Sequence, residues 1–194
     1  GPMEVVFDWT TDRCEDHHFA DLPVRAFRDA DGINLILGHD VTRRMRGPDF
    51  NNLTVECDIL LTSTSARHPD QFTNTEWIAA TYADGDTIHA LLHNEYQGNR
   101  YPECETADYF SCWYNTITYA RSDDGGASFG YPIAPPAHLV ASIPEPYAPD
   151  EGIFGAFSPS NIIHHDGFYY AFLKVQTYPL ETQHTCLMRT DTLG

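Results

Sequence analysis

The stretch Trp77-Ile78-Ala79-Ala80-Thr81-Tyr82-Ala83-Asp84-Gly85-Asp86-Thr87-Ile88-His89-Ala90-Leu91-Leu92-His93 decides how this chain is read. Two runs of strand-forming residues flank Asp84-Gly85. Asp-Gly between such runs is a strong hairpin signal, because a type I′ turn needs positive φ at both central positions. The device recurs twice. Upstream stand Val24–Arg28, Asp31-Gly32 and Ile33–Gly38; downstream stand Asn161–His165, Asp166-Gly167 and Phe168–Lys174. A further strand-like run follows each hairpin: Thr54–Leu61, Tyr114–Arg121 and Thr185–Arg189. Helical spacing is nowhere sustained for three turns, and 13 Pro and 13 Gly punctuate the chain. The expected class is all-β, with a unit of hairpin, connection and third strand used three times.

A repeat of short antiparallel sheets is the signature of a β-propeller, the competing arrangement being a β-sandwich with several Asp-Gly hairpins. The expected units are 22–65, 74–132 and 154–194, within one domain spanning 4–194. Gly1-Pro2-Met3 reads as the scar of an expression tag. Thr190-Asp191-Thr192-Leu193-Gly194, directly after a strand-like run, reads as the cut end of a larger fold.

Length and composition bound the rest. With 194 residues and 21.9 kDa the chain can bury one real core. Its 28 Asp+Glu against 11 Lys+Arg give a net charge of −17. That excludes an electrostatic footprint for nucleic acid and repels anionic lipid. At 42% hydrophobic and 13% aromatic it is too apolar to be disordered. The longest apolar runs, such as Ala90-Leu91-Leu92, are far too short for a membrane helix. Five cysteines, with no CxxC, leave at least one thiol unpaired within the chain. Cys104 and Cys112 flank a turn-rich stretch, where a loop disulfide and free buried thiols both remain open.

After the third run of the second unit stands Ser122-Asp123-Asp124-Gly125-Gly126-Ala127-Ser128-Phe129. Through Ser122, Asp124, Gly126 and Phe129 it fits the Asp-box pattern S-x-D-x-G-x-x-aromatic. Side-chain oxygens hold a tight turn, Gly supplies the unusual dihedral, and the ring packs between strands. With this motif, Val24-Arg25-Ala26-Phe27 before Asp31-Gly32, Glu76-Trp77, His93-Asn94-Glu95-Tyr96 and Ser158-Pro159-Ser160-Asn161-Ile162 complete a resemblance. From about residue 22 onward the chain resembles bacterial sialidase-like and glycoside hydrolase family 43-like propellers. The resemblance implies a five- or six-bladed propeller of which about three blades are present, completed by a second chain or copy. It also implies a secreted protein, an oligo- or polysaccharide substrate and no cofactor, although family 43-like propellers can carry a channel calcium ion. In sialidases an Arg on the first inner strand grips the substrate carboxylate; Arg25 stands in that context, followed by Ala26-Phe27 in place of Ile-Pro.

Glycoside hydrolysis needs two carboxyl groups, one protonated to assist the leaving oxygen and one ionised as nucleophile or base. Asp40, Glu76 and Glu95 are the expected catalytic carboxylates, Asp40 and Glu95 forming the pair. Strand alternation puts Ile88, Ala90 and Leu92 on one face and His89, His93 and Glu95 on the other. An imidazole beside Glu95 would orient it. Arg43 and Arg44, the start of the only basic cluster, are read as substrate anchors with Arg25, the alternative being ion pairs with nearby acids. Trp77, His93 and Asn161 complete the expected substrate-binding set. A glycan-binding propeller without hydrolysis, and a metal enzyme built on His89, His93 and Glu95, are the rival readings. No P-loop, dinucleotide fingerprint or nucleophile elbow occurs.

Overall fold

The structure, a computed structural model, describes residues 1–39, 41–106, 108–178 and 182–194. Among these the α-helical content is a single turn, α1 (Trp9–Asp12), whose N-cap Asp8 accepts from the Thr10 N–H. Everything else of regular structure, two short 3₁₀ turns apart, is strand. The protein is all-β, as expected.

Four strands form the first sheet in chain order: β1 (Arg25–Arg28), β2 (Ile33–Gly38), β3 (Thr42–Gly47) and β4 (Thr54–Leu61). Eight follow: β5 (Thr75–Asp84), β6 (Thr87–Gln97), β7 (Cys112–Ser122), β8 (Leu139–Ala141), β9 (Gly152–Phe157), β10 (Ile163–His165), β11 (Phe168–Gln176) and β12 (Gln183–Thr190). They make a second sheet ordered β10-β11-β9-β7-β6-β5, with β12 on β11 and β8 on β7. All three Asp-Gly hairpins form, but with different turns. Positive φ at both central residues occurs only at Asp166-Gly167, which joins His165 to its partner Phe168. In the second hairpin Asp84 pairs with Thr87, so the turn centres on Gly85-Asp86, of which Gly85 alone has positive φ. In the first, Asp29 caps the turn by accepting from the Asp31 and Gly32 N–H groups.

Three strands, β3, the short β8 and β9, lie outside the runs the sequence predicts. β3 carries Arg43, Arg44 and Arg46, which reads as a polar connection. It forms because each charge meets an acid: Arg44 lies opposite Glu56 across the ladder and bonds to it, and Arg46 bridges Asp29 and Asp31. β9 begins with Gly and has Gly155 at φ 118, where a Cβ would meet the Asn115 carbonyl oxygen at 2.0 Å. Only glycine permits that approach. β9 pairs parallel to β7 and antiparallel to β11, so the second and third repeats are joined into one sheet.

The core has two main layers, set by β6. Ile88, Ala90 and Leu92 point one way and pack with Phe27, Ile36, Leu60, Ile78 and Phe129 between the two sheets. Leu91 points the other way, against Ile117, Ala156, Ala171 and Leu173. A strand buried on both faces contributes about 1.5–3 kcal/mol for each large apolar side chain. The Ser122–Phe129 turn locks this packing from outside. Ser122 Oγ accepts from the Gly126 N–H (2.8 Å), Asp124 accepts from the Ser128 N–H (2.9 Å), and Phe129 is buried with its N–H on the Leu60 carbonyl. Burial alone would raise the Asp124 carboxyl, but the Ser122 and Ser128 hydroxyls and the Ser128 and Ala127 N–H groups bring it down to about 2. Cys14–Cys57 and Cys104–Cys112 form disulfides, and Cys186 is free and exposed.

Candidate functional site

Arg25, on β1, reaches across to the second sheet. Its Nε donates to the Ala79 carbonyl, and a terminal nitrogen donates to the Pro159 carbonyl at 3.0 Å. Both acceptors lie where strand pairing breaks. Ala79 sits at a register shift in β5, and Pro159 lies in the Ser158–Ile162 segment that interrupts β9 and β10 along their shared neighbour β11. Such irregularities leave carbonyls without ladder partners, and the guanidinium satisfies two of them. Burial lowers the Arg25 pKa from its ordinary value. Arg25 thus fastens three segments together.

The residue before Pro159 touches the next part of the site. The Ser158 N–H donates to His93 Nδ1 at 3.2 Å, so in the neutral ring the proton sits on Nε2, which donates to Glu95 Oε1 at 3.0 Å. Gln97 Nε2 donates to the other oxygen, Oε2, also at 3.0 Å. Successive same-face residues of β6 therefore grip both oxygens of one carboxylate. The Glu95 side chain is 14% exposed, whereas His93 is buried. His93 positions Glu95 and is sealed from any ligand, so the expectation that it binds substrate directly is corrected to this role. Sequence reasoning passed over Gln97, although the alternation that selects His93 and Glu95 continues to it.

Glu76 occupies a different environment. It pairs with Asn94, and Asn94 precedes Glu95, so the Glu76 and Glu95 side chains leave opposite faces of the sheet. Glu76 is 4% exposed. It accepts from the Tyr131 hydroxyl and, at 3.4 Å, from Thr118. Burial pushes its carboxyl up to about 7, against the hydroxyl hydrogen bonds that lower it. The expectation that Glu76 shares a pocket with Glu95 fails for this topological reason. Nothing near it in sequence announces Tyr131, which comes from a loop beyond the third strand of that unit.

The remaining expected residues separate. Asp40 lies outside the described residues. Arg43 is paired with Glu15 (2.9 Å) and Arg44 with Glu56, which commits both to internal ion pairs and corrects their reading as substrate anchors. Trp77 is 4% exposed with its ring 5.9 Å from His93, so it is core and not an open stacking surface. Asn161 is exposed in the interrupting segment. His89 bonds the Tyr119 hydroxyl at 2.6 Å, and among the described residues His89, His93 and Glu95 do not converge on one point. Cys104, Cys112 and Asp150 cluster at metal-ligand distances, but both sulfurs are in the disulfide and offer no thiolate. A cavity of about 400 Å³ opens between β7–β8 and β11–β12, lined by Leu91, Tyr119, His138, Ile162, Tyr170 and Met188 among others; among the described residues it includes none of the expected ones.

These features define an all-β protein of two antiparallel-rich sheets, with a gripped carboxylate on the face of the second sheet turned away from the first. No protein-family model and no curated protein matches the chain. Among solved structures it is similar to the crystal structure of an exo-1,5-alpha-L-arabinanase from a bovine ruminal metagenomic library. That likeness has a TM-score of 0.34 at 12% identity, over 87% of this chain and 70% of that one. At that distance it assigns neither family nor site.

Proposed function

We propose that this chain is a carbohydrate-active protein, a glycoside hydrolase in which Glu95 is one of two catalytic carboxylates. The observation that carries the reading is Glu95 itself, a partly exposed carboxylate fixed at both oxygens by His93 and Gln97. A carboxylate held by N–H donors keeps one orientation as substrate enters, which is what a nucleophile or base at a sugar carbon requires. Asp40, at the polar end of the first hairpin, is proposed as the proton-donating partner. The fold reading that goes with it is a β-propeller of the five- or six-bladed type. Its blades are 22–65, 74–132 and 154–194, its ring is completed by further chain or a second copy, and the protein is secreted.

Screening nitrophenyl glycosides and soluble polysaccharides tests this. Wild type releases product on at least one substrate, and Glu95→Gln and Asp40→Asn each lose about 10²–10⁴ of the rate, the usual contribution of one acid–base group. Equal rates for wild type and Glu95→Gln would end the assignment. The placement of Glu76 and Glu95 on opposite faces favours one second reading, a protein that binds glycan without cleaving it. Binding with no product from any substrate would establish that reading instead.

A further inference from the structure

Beside Glu95 lies an aromatic group that the hydrolytic reading leaves unused. Gln97, which holds Glu95, is the cross-strand partner of Trp113, so Glu95, Gln97 and Trp113 share one face of the sheet. Trp113 packs edge to face with Tyr109 (5.1 Å) and Phe110 (5.2 Å), and those two rings meet edge to face at 4.9 Å. Tyr109 is 48% and Phe110 50% exposed. Three touching rings, two of them half in water, form an apolar patch on the rim of a polar site. An exposed patch of that kind marks a contact surface.

The patch is held in shape. The Cys104–Cys112 disulfide closes the loop that carries Tyr109 and Phe110. Inside it, Asp108 accepts from the Phe110 N–H and the Ser111 hydroxyl, each at 3.1 Å. Asp150 ties down the other arm by accepting from the Thr106 N–H (3.0 Å) and hydroxyl (2.6 Å), and the Ser111 carbonyl accepts from the Gly152 N–H (2.8 Å). A ring surface fixed before a ligand arrives loses little entropy on binding.

Charge selects the occupant. The ring-bearing loop itself carries Glu105 and Asp108, Asp150 holds one of its arms next to Glu151 in the sequence, and Glu95 shares the face of Trp113. Of the nearby cations, Arg67 is paired with Glu103 (2.7 Å) and Arg100 donates to Thr75 (3.3 Å). An anionic ligand would meet repulsion here, while the C–H face of an uncharged sugar ring suits the aromatic surface and its hydroxyls suit a carboxylate rim. We propose that Tyr109, Phe110 and Trp113 form a stacking subsite, adjoining Glu95, for an uncharged sugar unit of the glycan. This rests on the carbohydrate-active reading above and narrows it, since sialic acids and uronic acids are excluded as occupants.

Affinity electrophoresis of the whole chain tests the proposal, in native gels cast with neutral polysaccharides (arabinan, xylan, galactan, β-glucan) or acidic ones (polygalacturonate, hyaluronan). The expected result is retardation in at least one neutral gel and in neither acidic gel. Tyr109→Ala/Phe110→Ala should weaken that retardation about tenfold, with an unchanged thermal melt. Retardation in a neutral gel that survives the double substitution overturns the subsite and leaves the carbohydrate-active reading standing. Retardation only in acidic gels overturns the neutral-ligand assignment. No retardation and no cleavage in any gel overturns both. Should the double variant fail to fold, Tyr109→Leu alone, which keeps the bulk and loses the ring, carries the same readings.

Discussion

Glu76 and Glu95 are separated by one step of sheet register, yet they live in opposite physical worlds. Glu76 lies on the face turned toward the first sheet, bonded by the Tyr131 and Thr118 hydroxyls, with no cation among its partners. Its carboxyl is pushed up to about 7, so near neutral pH it holds its proton about half the time. Glu95 leaves the opposite face, keeps an edge in solvent and receives two N–H donors. Sequence treats the two as equivalent acids at strand ends. The pleat separates them: one becomes a buried weak acid within the packing, the other an oriented carboxylate at a surface.

Four measurements would break or sharpen that contrast, taken from the largest expected effect downward. Turnover comes first: Glu95→Gln is expected to lose about 10²–10⁴ in rate, roughly 3–5 kcal/mol of barrier. If Glu76→Gln, still folded, loses as much, the two faces are not functionally distinct. Chemical denaturation of the adjacent leucines comes second. Leu92, fully buried against the first sheet, should cost about 3–5 kcal/mol when changed to Ala, and Leu91, which borders the open cavity, about 2. A reversed order would mean that the tighter packing is on the Leu91 face.

Third is the pH dependence of stability. Below the ordinary Glu76 value of 4.5 both the folded and unfolded chains hold this proton, and between there and about 7 only the folded chain does. The folded state therefore binds more protons across that window, and stability falls as pH rises through it. The loss is complete above about 7, at about 3 kcal/mol. Glu76→Gln should flatten this slope and melt higher than wild type at pH 8. A wild-type slope that the substitution leaves intact would place the buried acid elsewhere. The smallest effect is Asp124→Ala, which removes acceptors of the Ser128 N–H and hydroxyl and should cost about 1 kcal/mol. Because the folded Asp124 carboxyl lies below its ordinary value, its stabilisation is present above about pH 4 and fades on acidification, opposite in sign to Glu76. Thermal melts from pH 2 to 5 would read the difference.

How far the site could be read in advance follows the same division. The row His93, Glu95 and Gln97 is written in the alternation of a single strand, and the structure keeps it on one face. The Ser122–Phe129 turn is likewise local, since its partners lie within a few residues of one another. Arg25 was visible as unusual, but its acceptors lie 54 and 134 residues away at two breaks in pairing. Arg43 and Arg44 read as a cluster seeking an anion; their anions, Glu15 and Glu56, were already in the chain. Trp77 belongs to the expected substrate-binding set, yet it is buried, because burial is decided by what packs against the sheet.

Sequence by itself therefore determined the all-β class, the three hairpins and the polar face of β6, because turn chemistry and two-residue alternation act within one or two strands. Tertiary structure alone decided that β9 joins the second repeat to the third, that Glu76 is sealed from Glu95, and that a disulfide-held ring surface adjoins the carboxylate. Those outcomes depend on which distant segments pack on a given face, and no local period of the chain encodes that.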